Sequence, residues 1–283
     1  MSSGAISERT VTVDGIEIFI RERPGDGVPA VFVHGNPTHS EDWVPFLERL
    51  EGPALAFDLP GFGRSERPDP QRFDYTLGAY ANFVEHLLDE LAPDGYKLVV
   101  HDWGGLALIP AQRRPERVKR LVIFNTVALF PGFRWHWIAR IWRRRGIGEL
   151  FNATSTKTAT ALVLRQARAG HKPMPPAFVD MIWDHMDAGT RRAVLALYRS
   201  ADPEVLGAAG SNLGELRGPA LIVWAKEDPY ISARYGRAYA DVLPDAELVE
   251  LEDAGHWPWI DRPEVIDRAV AFLEPDGDRS RSG

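Results

Sequence analysis

The chain has 283 residues, 45% hydrophobic and 26% charged, with a formal net charge of −7 and no cysteine. That length can bury a large core as one α/β domain or one domain carrying an insertion. The acidic balance gives nucleic acid and anionic membranes no overall attraction, and the lack of cysteine excludes disulfides, thiolate catalysis and cysteine-ligated metal.

In chain order, TVTVDGIEIFIRER alternates around Asp14-Gly15 and predicts an opening β-hairpin. PAVFVHG, PALAFDLPG, YKLVVHD and VKRLVIFN follow as short apolar runs ending in polar or turn residues. Near-continuous apolarity is the pattern of strands covered on both faces in a parallel sheet. Helical stretches such as LGAYANFVEHLLDEL and LALIPAQRR lie between them, so the alternation predicts a doubly wound, mostly parallel α/β sheet. From 129 to 213 the alternation breaks into helical segments, with FRWHWIARIWRRRG first and TRRAVLALYRSAD last. The arginines Arg143, Arg144 and Arg145 stand beside Trp135, Ile138 and Trp142 at helical spacing, as on the solvated face of an amphipathic helix. GPALIVWAKED and AELVELEDAGH then resume the sheet. The expected organisation is a core in two parts, 1–128 and 214–275, a helical cap over 129–213 and a flexible tail over 276–283. No apolar run reaches the ~18–20 residues of a membrane helix, and the opening segment has no signal-peptide core. The cytoplasm is the compartment expected by default.

Catalytic groups of open α/β sheets gather at the carboxyl ends of the strands. Asp102, in KLVVHDWGG, stands where a strand turns sharply into a helix, the position of a nucleophile elbow. Asp also suits a helix N-cap, but Asp228 in AKEDPY and His256 in DAGHWPW end two later strands. Nucleophile, acid and histidine in this chain order are the arrangement of the α/β-hydrolase triad. His256 would activate water, and Asp228 would orient and stabilise the imidazole. After the earlier strand comes HGNP, placing the backbone amides of Asn36 and Trp103 as an oxyanion hole. Asn36 and Trp103 also carry neutral side-chain donors, a carboxamide and an indole N–H. Singly they read as a turn residue and a pocket wall; as a pair beside a carboxylate they suit chloride or bromide.

On HGNPTHSEDW, DLPGFGRSERP, VVHDWGG and EDAGHW, the chain resembles the haloalkane dehalogenases of the α/β-hydrolase superfamily, with epoxide hydrolases as more distant relatives. The likeness runs from about Thr10 to Leu273 and is vague in the cap. It implies an α/β-hydrolase fold with an inserted helical cap, Asp102 as nucleophile, His256 as base, and Asn36 and Trp103 as the halide-stabilising pair. One subgroup takes its acid as a Glu after the strand preceding the cap, and here that position is Asn125. The other takes an Asp after the strand following the cap, which is Asp228. The implied reaction is displacement of halide from a saturated carbon by Asp102, then hydrolysis of the alkyl ester by water activated at His256. It needs neither metal nor organic cofactor, and its partners are a small apolar organic substrate and halide, with no nucleic acid and no membrane. Ser65, in a segment these relatives share, is expected to be structural.

Epoxide hydrolysis is the rival reading, since it shares the Asp-Trp elbow and needs acids to protonate the ring oxygen. Tyr198, in LALYRSADP, is the candidate cap acid, and a cap-core aromatic is its alternative role. No first tyrosine stands in FNATSTKTATALVLRQ. Trp135, Trp137, Phe151, Leu164, Phe178, Trp183 and Trp257 are candidate apolar walls. A ligand receptor and a serine esterase are weaker readings: a receptor has little use for an intact triad, and the elbow holds Asp rather than Ser. No surface patch demands self-association.

Overall fold

The computed structural model describes residues 5–274, and the tail expected at 276–283 lies outside them. The chain opens with strands β1 (Ser7–Val13) and β2 (Ile16–Arg23), paired antiparallel with Val13 opposite Ile16. Asp14 and Gly15 make the turn at φ 52° and 74°, the left-handed pair that matches strand twist. The sheet continues through β3 (Ala30–Val33), β4 (Ala54–Phe57), β5 (Tyr96–Asp102), β6 (Val118–Thr126), β7 (Ala220–Ala225) and β8 (Ala246–Leu251). Its eight strands run in the order β1-β2-β4-β3-β5-β6-β7-β8, parallel from β4 to β8. From β3 the chain moves to β4 on one side and returns to β5 on the other. That reversal opens a crevice at the carboxyl ends of β3 and β5.

Strand alternation divides the core into two layers. Val31, Val33, Leu98, Val100, Leu121, Ile123 and Ile222 join one cluster, and Phe32, Val99, Val122, Phe124, Leu221 and Val223 the other. Residues i and i+2 share a face, so both faces must be covered, and the helices cover them. They are α1 (Val44–Leu47), α2 (Leu77–Leu91) and α3 (Leu108–Ala111) before the cap, and α10 (Arg234–Val242), α11 (Pro258–Asp261) and α12 (Glu264–Leu273) after it. In α2 the buried residues Leu77, Tyr80, Ala81, Val84, Leu87 and Leu88 form one stripe, and the Thr76 hydroxyl caps Ala79 N at 3.2 Å, a bond worth about 1 kcal/mol. The stretch LALIPAQRR is not one regular helix. Trp103–Ala107 is a 3₁₀ turn leading into the four-residue α3, because Gly104, Gly105 and Pro110 interrupt the α pattern.

Between β6 and β7 lie α4 (Trp137–Trp142), α5 (Ile147–Thr154), α6 (Lys157–Leu164), α7 (Pro176–Asp184), α8 (Ala188–Ser200) and α9 (Pro203–Ala209). α5 and α9 lie outside FRWHWIARIWRRRG and TRRAVLALYRSAD, the first and last segments read as helical. Arg143 departs from the expected solvated face. Its guanidinium turns inward to the Tyr198 and Ala201 carbonyls and pairs with Asp202. The last carbonyls of α8 lack intrahelical donors and attract a cation. Arg144 and Arg145 remain exposed. Ser65 ties β2 to the end of β4, accepting from Phe19 N at 2.9 Å and donating to Asp58 O at 2.6 Å. No described helix is long and apolar enough to cross a membrane.

Candidate active site

Asp102 ends β5 at φ 46° and ψ −121°, a conformation that costs a non-glycine residue about 1–3 kcal/mol. The sharp turn lifts its carboxylate out of the sheet. Two glycines make room for it: a Cβ on Gly35 would lie 2.4 Å from Asp102 Cβ, and one on Gly104 would lie 2.1 Å from Val33 O. Asp102 Oδ2 accepts from Asn36 N at 2.8 Å, and the Trp103 amide also donates to the carboxylate. Burial raises the pKa of Asp102, while the charge of His256 and the two amide bonds act against that rise.

His256 follows β8 and Asp228 follows β7. His256 Nδ1 lies 2.8 Å from Asp228 Oδ2, and His256 Nε2 lies 3.8 Å from Asp102 Oδ1. Asp228 is held on every side. Oδ1 accepts from Tyr230 N at 2.7 Å and Ile231 N at 3.1 Å, and Oδ2 accepts from Asn125 Nδ2 at 2.7 Å. Asn125 also accepts from Ala225 N at 2.9 Å, so it ties β6 to β7 beside the acid. Burial alone would lower the His256 pKa. The charge and hydrogen bond of Asp228, with the charges of Asp102 and Asp42, outweigh burial and hold it above the ordinary 6.5.

The side chains of Asn36 and Trp103 meet beside this triad, and Tyr198 joins them. Asn36 Nδ2 lies 3.5 Å from Tyr198 Oη, and the Trp103 indole donates to the same oxygen. The Trp103 and Tyr198 rings meet edge to face at 4.9 Å, and Trp135 stacks behind Trp103 at 5.5 Å. Burial, reinforced by the Asp102 charge, raises the Tyr198 hydroxyl well above its ordinary pKa, so it stays protonated. Three neutral donors therefore converge next to a carboxylate.

A cavity of about 310 Å³ rises from Asp102 and His256 into the cap. Of the anticipated walls, Phe151, Leu164, Trp183 and Trp257 line it. Trp135 backs Trp103 instead, Phe178 packs against Trp257 at 5.1 Å, and Trp137 is exposed on the outer surface. Among the lining residues not anticipated are His136 and Tyr230. Tyr230 stands edge-on to His256 at 4.9 Å and 89°; its place two residues beyond Asp228 was the available signal. Burial, aided by the charge of His256, takes the His136 pKa down to about 3, leaving a neutral ring. No group of three or more His, Asp or Glu side chains among the described residues could hold a metal ion.

The alpha/beta hydrolase fold family matches residues 29–263. The chain is 31% identical over 270 residues to a cis-3-alkyl-4-alkyloxetan-2-one decarboxylase of Shewanella oneidensis, covering 88% of this chain and 83% of that protein. It is 28% identical to haloalkane dehalogenase 2 of Mycobacterium tuberculosis, covering 89% of each. Among solved structures, the haloalkane dehalogenase DbeA from Bradyrhizobium elkani superposes with a TM-score of 0.78 at 25% identity, covering 94% of this chain and 97% of that one.

Proposed function

This enzyme belongs to the alpha/beta hydrolase fold family, in its haloalkane dehalogenase branch, and we propose that it cleaves carbon–halogen bonds of haloalkanes through a covalent alkyl-aspartate. The observation that carries this reading is the convergence of the Asn36 and Trp103 side-chain donors beside Asp102. Asp102 Oδ1, the oxygen outside the Asn36 amide bond, attacks the saturated carbon as the carbon–halogen bond breaks. The halide leaves with the bonding pair toward Asn36 Nδ2 and the Trp103 indole. Ester formation cancels the charge of Asp102, one of the charges that raises the His256 pKa. The imidazole pKa therefore falls, so the ring stays neutral to lower pH and is free to accept a proton from water as the water oxygen adds to the ester carbon. The developing oxyanion on Oδ2 is held by the amides of Asn36 and Trp103, donors of a kind worth about 3–4 kcal/mol each in a transition state. Collapse releases the alcohol and restores Asp102, with Asp228 stabilising the imidazolium throughout.

A second reading is favoured by one observation, the Tyr198 hydroxyl among the cradle donors. A protonated phenol serves an oxygen leaving group as well as a halide, which suits opening of a strained carbon–oxygen ring. The oxetanone named for the decarboxylase relatives is such a ring, and an epoxide is another. For the oxetanone, Asp102 would displace the ring oxygen from the saturated, alkyl-bearing ring carbon bonded to it. The freed carboxylate would then leave as CO₂, its bonding pair forming the alkene as the bond to Asp102 breaks. No water is consumed in that sequence. For an epoxide, Tyr198 would protonate the ring oxygen and water would release a diol.

The test is a parallel assay of halide release from brominated and chlorinated alkanes, alkene and CO₂ formation from a dialkyl oxetanone, and diol formation from epoxides. Halide release that falls at least about 100-fold in Asn36→Ala and Trp103→Phe supports the dehalogenase. Alkene or diol formation lost in Tyr198→Phe, with no halide released by the unmodified enzyme, replaces it with the second reading.

A further inference from the structure

Every exposed large apolar side chain among the described residues lies between β6 and β7: Trp137 at 41%, Ile147 at 51%, Leu150 at 65%, Leu162 at 67% and Val205 at 44%. The first four lie on the consecutive helices α4, α5 and α6. α4 and α5 pack together, and Trp137 Nε1 donates to Gln166 Oε1 at 3.2 Å, four residues after Leu162. Ile147, Leu150 and Thr154 form a stripe at helical spacing along α5, and Ala159 and Leu162 share a side of α6. Thr154 and Ala159 are exposed and line the cavity that leads to Asp102. The knobs on α5 and α6 therefore stand on the same helices as exposed residues of the cavity wall.

The segment that carries Trp137 and leads into Ile147 has the opposite charge to the whole chain. From 134 to 145 there are five arginines and no acid, in a protein of net charge −7. Arg143 is occupied with Asp202 and the end of α8. Arg134, Arg140, Arg144 and Arg145 are exposed, and none forms an ion pair among the described residues. Exposed aliphatic and indole side chains close in sequence to unpaired guanidinium groups match the interface of an anionic bilayer, where apolar groups enter the acyl boundary and cations meet the headgroups. Nucleic acid has no use for exposed leucines. A two-fold contact with a second copy would set this arginine cluster against itself.

We propose that the cap docks peripherally on anionic lipid membranes, with the cavity mouth facing the bilayer, so that apolar substrate enters from the lipid phase. The contact is superficial and needs no spanning helix. The overall charge, from which no membrane partner was expected, conceals this local positive face.

Docking is independent of the reaction at Asp102 and is tested without turnover, by co-sedimentation of the full chain with vesicles. Vesicles of phosphatidylcholine alone are compared with vesicles of phosphatidylcholine mixed with phosphatidylglycerol. The expected result is partition onto the anionic vesicles, weakened by salt, with roughly fivefold loss for each arginine removed. Arg144→Ala with Arg145→Ala should then bind roughly 25-fold more weakly. Leu150→Ser with Leu162→Ser should also weaken binding at unchanged charge, and all four positions are exposed, so an unchanged Tm shows that the variants remain folded. Equal partition onto both vesicle types overturns the proposal, as does unweakened binding by either double variant. Self-association that the same substitutions abolish, without vesicle binding, also overturns it and assigns the face to a second copy.

Discussion

Asp42→Asn is expected to stabilise the folded chain more at alkaline than at acidic pH. Asp42 sits in the 3₁₀ turn Ser40–Trp43, 4% exposed, and neither carboxyl oxygen completes a hydrogen bond among the described residues. The Thr38 and Trp257 side chains approach it, and the charge of His256 favours its anion. Burial outweighs all three and pushes its pKa from 3.8 up to about 7. An unfolded chain ionises this group near pH ~4, whereas the folded chain keeps the proton until about pH 7. Between those values the folded state binds the extra proton, so stability falls as pH rises through that window and then levels off. At ~1.4 kcal/mol per pH unit, the cost to folding is roughly 1.5 kcal/mol at about pH 5 and roughly 4 kcal/mol at about pH 8. Asparagine does not ionise. Its stability advantage over aspartate should therefore grow by about 2.5 kcal/mol across that range, a Tm difference on the order of 4 °C for a chain of this size. The assay is thermal unfolding of both proteins in matched buffers. A Tm difference that does not change with pH would refute the reasoning, because it would mean Asp42 ionises alike in both states.

Two further predictions concern the base. His256→Phe should leave the first step intact and stop ester hydrolysis, lowering turnover by about 10²–10⁴. Intact-protein mass spectrometry after incubation with an accepted haloalkane should show the alkyl group added on Asp102, and turnover in that variant without any adduct would exclude the ester route. In the free enzyme His256 should titrate above 6.5, as read from its imidazole NMR signals. Ester hydrolysis needs the neutral ring, so its rate should fall as pH drops. Because esterification removes the Asp102 charge, that acid limb should lie at lower pH than the free-enzyme titration, and a limb at higher pH would contradict the assigned roles.

The architecture was legible because its signals are local. Each strand announces itself as an apolar run closed by turn residues, and the residue types at strand ends place Asp102, Asp228 and His256 without knowledge of any distance. Asp14-Gly15 specifies its hairpin turn from two residues alone. Tertiary structure decided what depends on contacts between distant segments. Asn125, weighed only as a position where an acid was missing, turns out to hold Asp228, a contact across 103 positions. Tyr198 reaches Asn36 across 162, because Arg143 and Trp135 help fix the end of α8. His136 and Tyr230 became cavity walls by the packing of α4 and of the loop after β7 over His256. Periodicity tells which side of an element is apolar, but not what that side meets. The burial of Asp42 beside Thr38 and Trp257 and the exposure of Leu150 and Leu162 could be read only from the folded chain, since both depend on which distant segments meet.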